Sequence, residues 1–142
     1  MFSKLTTFIL ITMTPLVLQA NPFVEAGERY GIDPWLLYSI SKVESGGNPM
    51  AINKNRNGTT DIGIMQINTV HLPTLAKFGI TQQNLWHPET NINVGAWVLA
   101  GCVNKHGYTY KALDCYNGDR TGRYSRKVMD MFKKETRRYA QN

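Results

Sequence analysis

Between Asp33-Pro34 and Gly46-Gly47 the chain runs without a helix breaker from Trp35 to Glu44, and this bracketed segment constrains the fold more than any other. An aspartate oxygen caps a helix start, and a proline suits the first helical position, where its missing N–H is not needed. The paired glycines accept the left-handed turn that ends a helix. Inside the bracket Leu36, Leu37, Ile40 and Val43 form an apolar stripe. Glu44 stands four residues after Ile40, seven after Leu37 and eight after Leu36, so it continues that stripe. A carboxyl group at the end of an apolar face is poorly solvated when ionised and holds its proton to higher pH. Such a group suits the protonation of a glycosidic oxygen as the bond breaks. The competing reading is a boundary glutamate that reaches water where the helix ends.

The remaining punctuation extends the helical pattern. Phe23 to Tyr30 has helical composition and stops at Gly31. Asn48 to Asp61 is rich in Asn, Gly, Thr and Lys, with Asn57-Gly58 as a turn signal, and reads as a loop or one short irregular hairpin. Ile62 to Asn68 is apolar and leads into a helix over Val70 to Phe78. A short turn follows over Thr81 to Leu85, a long helix over Pro88 to Lys105, a further helix over Tyr108 to Tyr116 and a terminal one over Tyr124 to Tyr139. The expected class is mainly α, a compact helical domain with at most one small hairpin.

Residues 1 to 20 read differently. A short segment with Lys4 precedes an apolar run from Leu5 to Leu18, and Ala20 offers a small residue at a cleavage point. That is the layout of a secretory signal peptide; the run is too short and too interrupted to span a bilayer comfortably. The reading is therefore a signal peptide over 1–20 and one domain over 21–142, exported to the periplasm, with no membrane span once the signal is removed. With 142 residues, 42% of them hydrophobic and 18% charged, the chain suits one globular core.

Cys102 and Cys115 flank the turn at Gly107-Tyr108 nearly symmetrically, so two antiparallel helices would bring them face to face. A disulfide and two buried thiols both remain open. The net charge of +6 is concentrated at the end: Arg120, Arg123, Arg126, Lys127, Lys133, Lys134, Arg137 and Arg138 stand against Asp130 and Glu135. A basic helix over about 120–140 is either a solvated face or a contact for a polyanion, such as a cell-wall polymer, a membrane surface or an acidic protein partner. No nucleic-acid recognition motif accompanies it. His71, His87 and His106 lack metal-ligand spacing, and the expectation is no metal and no cofactor.

Asp61 is a second candidate. It follows the polar loop, which could fold back and bring it near Glu44, giving one protonated and one ionised carboxyl around a sugar. Otherwise it is a loop aspartate bonding nearby amides. Four ordered segments then resemble the lytic transglycosylase family with a goose-lysozyme-like catalytic domain. They are Val43-Glu44-Ser45, Gly63-Ile64-Met65-Gln66-Ile67, Asn91-Ile92-Asn93-Val94-Gly95-Ala96 and Tyr116-Asn117-Gly118. The run from Asn55 to Gly63 is similar to small members associated with secretion, conjugation and pilus assembly. Cys115 and Asp119 depart from the family's usual alanine and alanine-glycine at those places.

The resemblance implies a lysozyme-like α+β fold and a peptidoglycan substrate. It makes Glu44 the acid that protonates the oxygen between N-acetylmuramic acid and N-acetylglucosamine, and then the base that closes a 1,6-anhydro ring, with Asp61 stabilising the developing cation. Ser45 is expected to help hold the Glu44 carboxylate, and the backbone of Gly63 and Met65 to line the groove, Gly63 allowing close approach of the sugar. Gln66 offers an amide, Tyr116 a hydroxyl for Glu44, and Asn117 a contact to the acetamido group. For these last three, structural hydrogen bonding is the alternative, and for Met65 the core. A monomer is expected, serving assembly of a secretion, conjugation or pilus complex, with the basic segment as the partner contact. The rival readings are a lysozyme-type muramidase and a catalytically weak wall-binding module.

Overall fold

The computed structural model describes residues 21–141; the expected signal peptide at 1–20 lies outside the described residues. Among the described residues there are six α-helices: α1 (Pro22–Tyr30), α2 (Pro34–Ser45), α3 (Leu72–Leu75), α4 (Pro88–His106), α5 (Tyr110–Asn117) and α6 (Arg123–Ala140). A small antiparallel sheet, β1 (Ile52–Lys54), β2 (Thr60–Ile62) and β3 (Ile67–Asn68), lies between α2 and α3. The mainly α, lysozyme-like reading holds. The expected hairpin carries a third strand, because the Gly63–Gln66 turn returns the chain so that Asp61 faces Asn68 and Ile62 faces Ile67.

Local chemistry sets the helix limits. Asn21 Oδ1 accepts from Phe23 N at 3.0 Å and Asp33 Oδ1 from Trp35 N at 2.7 Å, so both early helices are capped, each cap stabilising by about 1 kcal/mol. Gly31 and Gly46 end them in the left-handed conformation. The single helix expected over Val70–Phe78 is instead a 3₁₀ turn (Thr69–His71), α3, and a second 3₁₀ turn (Ala76–Phe78). Pro73 explains the break, since it supplies no N–H to the preceding turn.

The core gathers Leu37 and Ile40 from α2, Ile62, Met65 and Leu85 from the sheet side, Ile92, Val94 and Leu99 from α4, and Val128 from α6. α4 and α5 form an antiparallel hairpin joined by a Cys102–Cys115 disulfide, with the Cα atoms 5.8 Å apart. α6 packs across α2 and α5. Among the described residues no helix is long and apolar enough to cross a membrane, and no cluster of three or more His, Cys, Asp or Glu could hold a metal ion.

Candidate active site

The C-terminal end of α2, the small sheet, α4 and α5 surround a cavity of about 200 Å³. Glu44, Asn55, Asp61, Gln66, Asn68, His71, Tyr116 and Asn117 line it. Glu44 reaches the cavity because the α2 stripe carries it past Leu37 and Ile40, which are fully buried. Burial raises the proton affinity of its carboxyl above the ordinary glutamate value. The neighbouring Tyr124 hydroxyl and Asn117 amide work against that shift, and the nearby Asp61 charge adds to it.

Asp61 is held in a different way. In the register of the sheet Asn53, Asp61 and Asn68 stand directly opposite one another on successive strands. Asn53 and Asn55 donate to Asp61 Oδ2 at 3.1 and 3.0 Å, and Asn68 donates to Oδ1 at 2.7 Å. Thr59 Oγ1 accepts from both Asn55 and Asn68 and ties the set together. One cavity thus holds two carboxyl groups in contrasting surroundings: one sheltered beside apolar side chains, the other fixed by three amide donors.

A model of the transglycosylase SLT domain matches residues 21–139, nearly all of the described chain. The chain belongs to the SLT family. It is an enzyme of the lytic transglycosylase class whose substrate is peptidoglycan. It is similar to invasion protein IagB of Salmonella typhimurium, at 35% identity over 81% of this chain and 77% of that protein. It is also similar to protein IpgF of Shigella flexneri, at 38% over 78% and 73%. A peptidoglycan-binding-like protein of Escherichia coli O157:H7 is 37% identical over 79% and 71%.

Against this SLT frame, several residues act differently from what the resemblance implied. Tyr116 gives its hydroxyl to the Met65 carbonyl at 2.8 Å, not to Glu44. Its phenol is pushed well above the ordinary value, chiefly by burial, so it stays a donor. The hydroxyl beside Glu44 belongs to Tyr124, whose ring stacks on Tyr116 with centroids 6.5 Å apart. Among the described residues Tyr124 Oη is the one buried side-chain polar atom without a hydrogen bond of standard geometry. It lies near the carboxyl without being locked to it.

Ser45 does not hold the carboxylate either. Its hydroxyl donates to Ile64 O at 2.7 Å and accepts from Asn48 N at 3.1 Å, pinning the end of α2 to the turn after β2. Gly63 is buried, and a Cβ there would stand 2.3 Å from Asn91 Nδ2, so its small size serves packing against Asn91. The Met65 side chain is core, pressed against Gly95. Gln66 lines the cavity with a left-handed backbone (φ 52°), and its amide donates to Gly63 O and Ala51 O at 3.0 and 3.2 Å. Asn117 stands at the end of α5 beside Glu44.

Three features escaped the sequence reading. Asn91 is 1% exposed and latches the turn: Nδ2 donates to Ile62 O and Leu85 O at 2.8 and 2.7 Å, and Oδ1 accepts from Met65 N at 2.8 Å. Its signal was available, because Asn91 shares a stripe with Val94, Leu99 and Cys102 on α4, as Glu44 does on α2. Tyr124 carries a similar signal, four before Val128 and eleven before Glu135, all buried. Asp119, a departure from the family pattern, accepts from Tyr124 N at 2.8 Å, while Asp114 accepts from Ser125 N at 2.9 Å. These two carboxylates satisfy orphan N–H groups of α6 and fix Tyr124 beside Glu44.

Proposed function

We propose that Glu44 is first the acid and then the base of a non-hydrolytic cleavage of the β-1,4 bond between N-acetylmuramic acid and N-acetylglucosamine. Protonated Glu44 gives its proton to the bridging oxygen, the bond from that oxygen to the muramic C1 breaks, and the N-acetylglucosamine end leaves as an alcohol. The acetamido oxygen of the muramic residue attacks C1 and shares the positive charge, so no protein nucleophile is needed. The 6-hydroxyl then displaces the acetamido oxygen at C1 and passes its proton to ionised Glu44, closing the 1,6-anhydro ring and restoring the acid. Asp61 stabilises the cationic character at C1. Asn117 and Gln66 contact the sugar, and Tyr124 orients the Glu44 carboxyl.

What supports this reading is the pairing of a sheltered, proton-retaining Glu44 with an amide-held Asp61 across one small cavity. The enzyme is exported through residues 1–20, works as a monomer on the periplasmic wall over a single domain, 21–142, and opens it locally where a secretion, conjugation or pilus apparatus is assembled. Relatedness to an invasion protein fits that role.

Mass spectrometry of digested sacculi tests the chemistry. Anhydro-muramic ends are expected from the wild type, and digestion slowed about 10²–10⁴-fold from Glu44→Gln. Because Asp61 shares the cavity, as a second carboxylate does in hydrolases, reducing muramic ends would assign the enzyme as a muramidase instead. Wall clearing that survives Glu44→Gln would leave only a wall-binding module.

A further inference from the structure

The seam between α2 and α6 is used by none of this chemistry. The helices run antiparallel there: Trp35 and Tyr38 meet Tyr139 at one end, and Lys42 and Val43 meet Lys127, Met131 and Lys134 at the other. The first end is aromatic. Phe23, Tyr38, Trp35 and Tyr139 form a chain of rings with centroid separations of 5.6, 5.8 and 5.1 Å, bordering a cavity of about 580 Å³. Tyr139 is 70% exposed and Val24, which also lines this cavity, 39%, so the rings form part of an apolar patch open to a partner. The second end is basic. Lys42, Lys127 and Lys134 surround a cavity of about 470 Å³ floored by Val43 and Met131, with Asp130 as its acidic member. Arg126, Lys133 and Arg137 extend the positive field along α6, and all three are exposed.

We propose that this seam docks an acidic peptide segment of a partner protein, with an apolar side chain seated among the rings and carboxylates over Lys42, Lys127 and Lys134. The inference names the partner contact of the assembly role given above and rests on that role. Charge complementarity selects acidic residues, and the ring-lined cavity selects an aromatic or large aliphatic anchor. The ring-lined cavity suits an inserted side chain better than a flat bilayer, while the lysine end is shallow and suits surface carboxylates. Trp35 and Lys42 are seven residues apart, about 10 Å along the helix, which about three residues of extended peptide span. Lys42 is turned about 200° around α2 from Glu44, so a docked segment leaves the catalytic cavity open to the glycan.

The probe is a random dodecapeptide display library panned on the purified protein, with phosphatidylglycerol vesicles as a parallel arm. Enrichment of peptides carrying an aromatic or large aliphatic residue about three positions from paired acids is expected. Their binding should weaken about tenfold in Tyr139→Ser and in Lys134→Glu, and should fall with salt. Both variants should digest sacculi at the wild-type rate, which also shows that they are folded. The proposal is overturned by an absence of enrichment, by peptides that bind both variants as well as wild type, or by vesicle binding without peptide binding, which would assign the face to a membrane. Peptide capture by Glu44→Gln separates the two readings, since docking survives in that variant whatever becomes of the catalytic account.

Discussion

Gly63→Ala separates packing from substrate approach as the reason for a glycine at that position. Gly63 and Gly46 have similar backbones, φ 79° and 68°, so a Cβ at either costs about 1–2 kcal/mol of left-handed strain. Nothing lies within 4 Å of a Cβ at Gly46, so strain is its whole cost. At Gly63 the new carbon would stand 2.3 Å from Asn91 Nδ2 and 2.8 Å from Leu85 O. The Asn91 amide must leave, and two buried carbonyls, Ile62 O and Leu85 O, lose their donor. Each costs about 1–3 kcal/mol when left unpaired. The expected loss is therefore about 1–2 kcal/mol for Gly46→Ala and about 3–8 kcal/mol for Gly63→Ala. Urea unfolding with unchanged m-values measures both. Equal losses, with Gly63→Ala impaired only in glycan binding, would refute the latch and restore the view that Gly63 is small for the sugar.

Tyr124→Phe removes a group that favours ionised Glu44, so the basic limb of the pH–activity profile should move to higher pH; Tyr116→Phe should leave that limb in place and cost about 1–2 kcal/mol of stability by stranding Met65 O. Because the folded chain binds the Glu44 proton more tightly than the unfolded chain, the stability Glu44 contributes is full below about pH 4.5 and is lost as pH rises through its folded midpoint. Glu44→Gln should accordingly melt above wild type near pH 8 and not near pH 4, by calorimetry, while losing about 10²–10⁴ in rate. Cys102→Ser with Cys115→Ser should cost about 3 kcal/mol in urea unfolding through the reopened loop, and should lower activity, since Cys115 adjoins the Tyr116-Asn117 wall. Asn68→Ala removes the shortest of the bonds to Asp61 and should slow sacculus digestion about tenfold, and because Asn68 Oδ1 also caps Val70 N it should cost about 1 kcal/mol of stability in urea unfolding.

The helices and the position of Glu44 were legible because they follow from local rules: caps at Asp33 and Gly46, and a stripe of fixed period. The third strand was not legible, since Ile67-Asn68 is too short to show alternation and exists only through its pairing with β2. The break at Pro73 was legible in principle, from the missing N–H alone. Tyrosine partnership was not. Which of Tyr116 and Tyr124 faces Glu44 depends on how α6 is hung from Asp114 and Asp119, a tertiary matter that no spacing along the chain encodes. The three-asparagine hold on Asp61 likewise requires the strand register, which the loop composition leaves open. Asn91 could have been found by treating every polar residue on an apolar stripe as Glu44 was treated.

The central claim is that the Glu44 carboxyl keeps its proton where glycan bonds are cut. Carbon-13 NMR titration of the labelled side-chain carboxyl, with Glu44→Gln to assign the resonance, measures this directly. The account predicts a midpoint above the ordinary glutamate value of 4.5 that coincides with the basic limb of sacculus digestion. A midpoint at or below that value, or one unrelated to the activity profile, would contradict it.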